Sequence, residues 1–494
     1  MKELTLYELF KGYDDILIPK ELDTTIIPTI ALSASDVSAS SVLFITEKVG
    51  GSEIFCTESL ATSPYAIVAS KTQELSDESI PIIRVGNVRA ALAYALSNTY
   101  EIDYSKARFI GITGTNGKTT TATLIHHILQ EAGYKAGFIG TGRILSGYEV
   151  MSESTYSMTT PDPSVLYPAV AKMYKDGCKY IVMEVSSHSI ALGKIAPIKF
   201  EYGIFTNLSN DHLDFHKTKE EYFKAKLRLF ESTKTALFNL DDEYSRRASE
   251  LVTCKASTFG IIRQGDAYAT EIDLSLDKTC LYYREKNLIT KITTSLIGAF
   301  NVYNSVAAMK CVIDLGVKPC IAKRAIESIT GIDGRMEMIK DDITVVIDYA
   351  HTPMAFYNCL KILKQNIKHK QKLIAVFGCG GNRDPSKRPD FGKYAEEYAD
   401  EIIITEDNSR NEDFDKIASG IASGMTHKRY KIISDREDAI RYAISNARHG
   451  DIVAIIGKGH EKYKITKSGY SPFDEKKIVE SALEKRRSNY ESRA

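Results

Sequence analysis

The hydrophobic positions of this chain fall into short runs bounded by polar or glycine-rich turns. From about residue 106 these runs alternate with helix-patterned stretches. Arg108-Phe109-Ile110-Gly111-Ile112-Thr113 is a short β-prone run. A glycine-rich turn follows, and then a helical pattern from Lys118 to about Ala132. Tyr180-Ile181-Val182-Met183 and Tyr202-Gly203-Ile204-Phe205 are further buried-strand candidates. Short apolar strands separated by helices predict a parallel sheet covered by helices on both faces. Two glycines interrupt the pattern at Gly331-Ile332-Asp333-Gly334-Arg335, which places a boundary there. The alternation restarts with Val345–Ile347, Leu373–Phe377, Ile402–Ile404 and Ile452–Ile456. That is the pattern of a Rossmann-like doubly wound sheet, with functional loops at the carboxyl ends of its strands. The first hundred or so residues are less periodic. They hold short strands such as Val42–Ile45 and a Ser/Ala-rich loop from Leu32 to Ser41. The expected fold is α/β in three domains. A small N-terminal α/β domain spans 1–105, a P-loop-type ATPase domain with a parallel sheet spans 106–333, and the doubly wound domain spans 334–494.

Size and composition agree with three globular units. The chain has 494 residues, 43% of them hydrophobic and 26% charged. Lys+Arg and Asp+Glu both number 64, so nothing in the charge asks for nucleic acid or an anionic membrane. The start, MKELTLYELFKGYDD, lacks a basic segment followed by an apolar stretch, and no apolar run approaches the roughly 20 residues of a membrane span. A cytoplasmic protein without membrane insertion is expected, and a monomer. Eight cysteines are scattered without a C-x-x-C pair, which fits reduced, structural thiols, not a zinc site or a disulfide framework.

The chemistry concentrates at strand ends. Gly114-Thr115-Asn116-Gly117-Lys118-Thr119-Thr120 lies between a predicted strand and a predicted helix. Such a turn presents backbone N–H groups and a helix N-terminus to an anion. Lys118 adds charge for the β/γ-phosphates, and Thr119 a hydroxyl for Mg2+. The strict Walker pattern wants a glycine where Ile112 sits, so this is a shorter form. Glu184, at the end of the strand beside the loop strand, is a candidate Mg2+ ligand or else a surface carboxylate. The run from Asn207 to His216 packs Asp211, His212, Asp214 and His216 at the mouth of the same sheet.

Taken in order, GTNGKTT, EVSSH and NLSNDHLDFH resemble the ATP-dependent Mur ligases of peptidoglycan synthesis. Gly298–Asn304 (G-x-F-N-x-x-N), Gly331–Glu337 (G-R-x-E) and Asp348–Pro353 (D-Y-A-H-x-P) agree, so the resemblance covers about residues 106–494. Within the family the chain is similar to the branch that joins the third residue of the peptide. Thr159-Thr160-Pro161, Gly378–Asp384 (GCGGNRD) and Gly457–Glu461 (GKGHE) carry that likeness. The resemblance implies a nucleotide site at Gly114, Thr115, Asn116, Gly117, Lys118, Thr119 and Thr120, with Asn301, Arg335 and Asp348 contacting adenine, phosphates and ribose. It implies catalytic roles for Lys118, Glu184, His212 and Lys226, and a Mg2+ held by Thr119, Glu184, His212 and Lys226. Lys226 falls where the family carries a carbamylated lysine, N6-carboxylysine. Ser35, Thr159, Thr160, Ser186 and Lys194 would hold the UDP-MurNAc-dipeptide.

The remaining substrate would be a diamino acid, held by Arg383, Asp407, Asn408, Ser409, Arg410, Gly457 and Glu461. Arg410 occupies the slot that is arginine in most diaminopimelate enzymes and alanine in many lysine enzymes. A guanidinium can clamp an extra carboxylate bidentately, which favours meso-diaminopimelate over lysine. Ser409 replaces the usual proline, and Glu461 could pair with the distal ammonium. In the N-terminal part the usual D-S-R reads Ala34-Ser35-Asp36, and lysine stands at 194 where arginine is common. The implied reaction is ATP-driven amide formation through an acyl phosphate. Alternatives are a ligase for lysine or another acyl substrate, a folate-type polyglutamate ligase, or a non-catalytic nucleotide-binding protein.

Overall fold

The computed structural model describes residues 3–26, 28–46, 57, 60–76, 79–153, 158–368, 370–427 and 429–491. Cys56 lies outside them, and the other seven cysteines are free thiols. Among the described residues no helix is long and apolar enough to cross a membrane.

The N-terminal sheet has five strands in the order Ile16–Leu17, Ile82–Val85, Ala66–Ser70, Ser41–Phe44, Thr29–Ala31. Asn87 caps the helix that leaves this sheet, Val88–Thr99, its side chain accepting from the Ala90 amide at 2.9 Å. The helix buries Ala91, Leu92 and Ala95 and packs on Pro163–Lys175 of the central domain. Within the Leu32–Ser41 segment, Ala34–Asp36 forms one 3-10 turn.

The central sheet is built around β1 (Arg108–Thr113), β2 (Tyr180–Glu184) and β3 (Phe200–Phe205). Its helices near the site are α1 (Lys118–Glu131), α2 (Lys219–Leu227) and α3 (Ala299–Asp314). Of these three, β1 lies between β2 and β3 and pairs with both in parallel, with Ile112 opposite Glu184 on one side and Ile204 on the other. This register brings Gly114, Val185 and Thr206 to one edge. The sheet has eleven strands: the expected parallel arrangement runs through its middle, and antiparallel strands extend it at both ends. Thr279–Glu285 and Leu288–Thr294 pair antiparallel beyond Ala267–Leu274 at one end, and Arg143–Ser146 and Glu149–Glu153 at the other. Thr279–Glu285 alternates buried with half-buried positions, as a strand with one wet face does, and Lys286 with φ of +49° closes its hairpin.

The C-terminal sheet contains β4 (Thr344–Asp348), β5 (Leu373–Phe377), β6 (Glu401–Ile404) and β7 (Ile452–Ile456). Its order is Glu337–Lys340, β4, β7, β5, β6, Lys431–Ile432, with only the first pair antiparallel. The architecture is thus α/β in three domains. The last helix, α4 (Glu475–Glu491), packs on this sheet's outer side against Arg436–Asn446. The linker folds tightly: Gly334 has φ of +63°, and a Cβ there would stand 2.1 Å from the His460 nitrogen.

A buried polar network locks α3 onto the sheet. Lys310 Nζ lies 2.9 Å from Glu285 and 2.6 Å from Asp314. Tyr283 donates to Glu285 at 2.6 Å and Tyr202 to Asp314 at 2.7 Å. Lys310→Met would strand two carboxylates, and removing one partner of a buried pair costs about 3–5 kcal/mol. Equilibrium urea unfolding of Lys310→Met should show a loss of that order.

Candidate active site

A cleft of about 1160 Å³ opens between the carboxyl edges of the central and C-terminal sheets. Its lining includes the Thr115–Thr120 loop, Glu184, Asn207–Asp214, Asn304, Arg335, Asp348, Arg383, Asp407 and Arg410. No described residue before Thr115 lines it. Ser35 is exposed in its 3-10 turn, paired with Ser33 at 2.7 Å, so the cleft does not gather it with the other expected residues.

The loop after β1 is held from two directions. Asn207 Oδ1 accepts from the Asn116 amide at 3.0 Å, and Thr206 donates to the Asn116 carbonyl at 2.6 Å. The Thr115 hydroxyl accepts from the Ser209 amide at 3.0 Å, and Thr120 is buried at the head of α1. Gly114 has φ of +144°, and a Cβ on it would stand 1.9 Å from Thr206 Oγ1. Lys118 Nζ donates to the carbonyls of Gly114 at 3.0 Å and Thr115 at 2.9 Å. From α2, Lys226 reaches the same Gly114 carbonyl at 2.9 Å and is 1% exposed. Burial and then the charge of Lys118 hold the Lys226 amine well below the ordinary lysine value. Burial lowers Lys118 as well, against the pull of Glu184 and Asp211.

Glu184 is 0% exposed and hydrogen-bonded through both oxygens. Thr119 donates to its Oε2 at 2.9 Å, the Thr141 amide to its Oε1 at 2.9 Å. Arg335, from the linker, donates to Thr119 Oγ1 at 3.0 Å, so the C-terminal side reaches the phosphate loop directly. His212 has φ of +54°, and its Nε2 lies 3.3 Å from Asp211 Oδ2. Its ring stands 4.8 Å from that of His188, which burial pushes down to about 4. Asp211 also faces His351 Nε2 at 3.7 Å and Lys387 Nζ at 3.6 Å, both from the C-terminal domain. Burial pushes its carboxyl up; His212, His351 and Lys387 outweigh that and hold it well below the usual range. Among the described residues no three His, Cys, Asp or Glu side chains are clustered as ligands for one ion.

Several expected residues bind the protein itself. Asp348 accepts the Met336 amide at 2.6 Å and the Ala350 amide at 2.8 Å, tying the linker to β4. Asn301 turns away from the cleft, donating to the Ile297 carbonyl at 2.8 Å and accepting from Asn304 at 3.0 Å. Asn304 is the helix residue that meets the loop: it accepts from Thr121 at 3.2 Å and would contact any Cβ on Gly117. Thr141 donates to Thr159 at 3.2 Å, and Thr160 to the Glu184 carbonyl at 2.9 Å. Ser186 caps Ser187–Ala191, and Lys194 is buried against Asp162 at 2.7 Å.

At the other end of the cleft, Arg383 pairs with Asp214 across the domains at 3.3 Å. Arg410 has φ of +53°, and its Nη1 donates to the carbonyls of Gly381 at 2.9 Å and Asn408 at 3.2 Å. Ser409 donates to Glu406 at 2.6 Å, and Gly457 has φ of +129° with Asp407 Oδ2 where a Cβ would go. Glu461 already receives Asn408 at 2.9 Å, Lys458 at 3.2 Å and Tyr463 at 3.3 Å. Sequence reasoning missed Thr141, Asn304, His351 and Lys387, although Asn304 closes the G-x-F-N-x-x-N run and His351 lies in D-Y-A-H-x-P.

Residues 112–312 match the Mur ligase middle domain, and residues 334–459 the Mur ligase, glutamate ligase domain. The chain is 39% identical over 433 residues, 87% of this chain and 88% of the relative, to the UDP-N-acetylmuramoyl-L-alanyl-D-glutamate--2,6-diaminopimelate ligase of Aquifex aeolicus (strain VF5). This chain belongs to the Mur ligase family. A protein of the same name from Clostridioides difficile (strain 630) is 36% identical over 498 aligned positions, 98% of this chain and 100% of the relative. A solved structure of a ligase of that name superposes with a TM-score of 0.65 at 28% identity, covering 98% of this chain and 100% of the other.

Mur ligases depend on ATP and Mg2+, and the loop region suits both. Thr119 and Glu184 offer hard oxygen donors beside the anion cradle, the ligand type Mg2+ selects. Lys118, held on the Gly114 and Thr115 carbonyls, supplies positive charge of the kind a polyphosphate needs. Gly114→Ala should weaken ATP binding by at least about tenfold in calorimetric titration, because the added methyl forces the loop off Thr206 at a φ only glycine adopts freely.

Proposed function

We propose that this Mur ligase joins meso-diaminopimelate to UDP-MurNAc-L-Ala-D-Glu, forming an amide bond at the expense of ATP. The observation that carries the choice of amino acid is the pair Arg383 and Arg410 lining the cleft with Asp407 and Glu461. Two guanidiniums beside two carboxylates suit a substrate bearing two carboxylate and two ammonium groups, whereas lysine would leave one guanidinium unmatched. The curated relatives carry that substrate in their names, which supports the same reading.

The chain's own residues support acyl-phosphate chemistry. The substrate carboxylate attacks the γ-phosphorus and ADP leaves. The amine then attacks the acyl carbon, loses a proton, and expels phosphate. Both steps build negative charge, which Lys118 and the N–H groups of the loop stabilise without reorganising. Mg2+, held by Thr119 and Glu184, supplies further charge neutralisation at the phosphates when bound. Arg335, His351, Lys387 and Arg383 draw the C-terminal domain over the loop and so exclude water from the reacting centre. The working units are taken as 1–105 for the UDP-linked substrate, 106–333 for ATP and 334–494 for the amino acid. With no described residue of 1–105 in the cleft, Ser35 serves the uridine end outside it.

Lys226 is assigned as N6-carboxylysine. Burial and the charge of Lys118 ease loss of the Lys226 proton, and the neutral amine can add CO2, releasing a proton and leaving a carbamate. The carbamate replaces one of two cations crowding the Gly114 carbonyl with an anion facing Lys118.

Phosphate release measured with ATP, Mg2+ and UDP-MurNAc-L-Ala-D-Glu should occur with meso-diaminopimelate and not with lysine. Release with lysine alone would overturn the specificity, and no release with any amino acid would overturn the ligase reading. Lys226→Ala should lose at least about a hundredfold in turnover and regain part of it with added acetate or bicarbonate; unchanged turnover removes the carbamate.

A further inference from the structure

Beneath the amino-acid end of the cleft lies a lysine to which the reaction assigns no part. Lys458, on the turn that leaves β7, is 0% exposed. It does not line the cleft, but three groups that do surround its ammonium. Asn408 Oδ1 lies at 2.9 Å, Glu461 Oε2 at 3.2 Å and Asp407 Oδ1 at 3.7 Å. The Tyr463 ring covers it, with the ring centre 5.6 Å from Nζ. The Asn408 side chain is thereby fixed in one sense. Its oxygen accepts from Lys458 and from the Ile465 amide at 2.9 Å, while its nitrogen donates to Glu461 at 2.9 Å. A rotated amide would set its NH2 against an ammonium and an N–H, and its oxygen against a carboxylate.

We propose that Lys458 is the positioning residue for the amino-acid substrate: its buried ammonium fixes the orientation of Asp407, Asn408 and Glu461 and offsets the charge of the two carboxylates. The inference rests on the proposed amino-acid site. With Lys458 in place, Glu461 Oε2 is spoken for by two donors, and Oε1 keeps only the long contact to Tyr463 at 3.3 Å. Glu461 therefore presents one oxygen to the cleft in a set direction. Without Lys458, two carboxylates and a free amide would rearrange to suit any cation, and selectivity between diamino acids would fall with affinity.

The loops themselves do not depend on Lys458. Arg436, 2% exposed, donates to the Glu406 carbonyl at 3.2 Å and the Ile456 carbonyl at 3.1 Å, gripping the roots of the 406–410 and 457–461 loops together. Glu475 of α4 anchors Arg436 in turn at 2.5 Å. Removing the Lys458 ammonium therefore frees side chains on a backbone that stays in place.

Steady-state kinetics of the full chain with ATP, Mg2+, UDP-MurNAc-L-Ala-D-Glu and meso-diaminopimelate test this in Lys458→Met, with Lys458→Gln as a second variant. The expected result is a KM for meso-diaminopimelate raised by about tenfold or more, with the KM values for ATP and the UDP-linked substrate within about twofold of the parent. Lys458→Gln, which keeps a donor but no charge, should fall between the two. Equal changes for all three substrates, a fall in kcat alone, or unchanged constants would overturn the proposal. If Lys458→Met does not fold, the same criteria applied to Lys458→Gln decide. A parent enzyme that releases no phosphate with any amino acid would instead overturn the functional reading beneath it.

Discussion

Two lysines from different helices aim their ammonium groups at one carbonyl oxygen, that of Gly114, at 3.0 and 2.9 Å. Both are depressed by burial, and Lys226 additionally by its neighbour. Concentrated, desolvated positive charge of this kind is unfavourable by itself and is relieved by an anion, either a phosphate or the carbamate proposed for Lys226. The surrounding structure serves that condition. β1, β2 and β3 end in register, so the loop, Glu184 and Thr206 share one edge, and Gly114 adopts a backbone conformation that lets Thr206 come close.

The same centre organises the contact between domains. Arg335 reaches Thr119, His351 and Lys387 approach Asp211, and Arg383 meets Asp214. Each is a charged or polar contact at the rim of the cleft, beside an apolar patch where Ile297, Leu276 and Phe300 pack into the C-terminal core. Polar interfaces inside a chain can open and reclose, as an enzyme that must admit three substrates and exclude water requires. The linker contributes the fixed point. Asp348 accepts two backbone amides and Gly334 sits against the His460 backbone, so the linker is tied to β4 and to the 457–461 turn.

Much of this was legible along the chain because the deciding features are local. The strands Leu373–Phe377 and Ile452–Ile456 appear with the bounds read from their apolar runs, and the helix read from Lys118 to about Ala132 spans Lys118–Glu131. Backbone burial on both faces writes itself into contiguous apolar residues. The antiparallel edges of the central sheet were not read, because alternating polar strands such as Leu288–Thr294 carry a weak period-2 signal amid charged residues. The pair Asn301 and Asn304 shows a different limit. Residues three apart lie on neighbouring faces of a helix, and only the packing of α3 against α1 sets which one meets the loop. Glu461, read as a partner for the distal ammonium, is also held by Lys458, Asn408 and Tyr463, none of which the sequence placed beside it.

The sequence by itself determined the α/β class, the anion-binding turn before α1, and, through a run of ordered motifs, the Mur ligase family. These follow from residue type and spacing, which short-range backbone geometry translates directly into structure. The tertiary structure alone decided that Lys226 shares a carbonyl with Lys118, that Asn304 and not Asn301 meets the loop, and that a buried lysine underlies the amino-acid end. Each of these joins groups far apart in the chain or depends on the rotation of a helix. Burial sets their charge and direction, and burial belongs to the assembled fold and not to any one stretch of sequence.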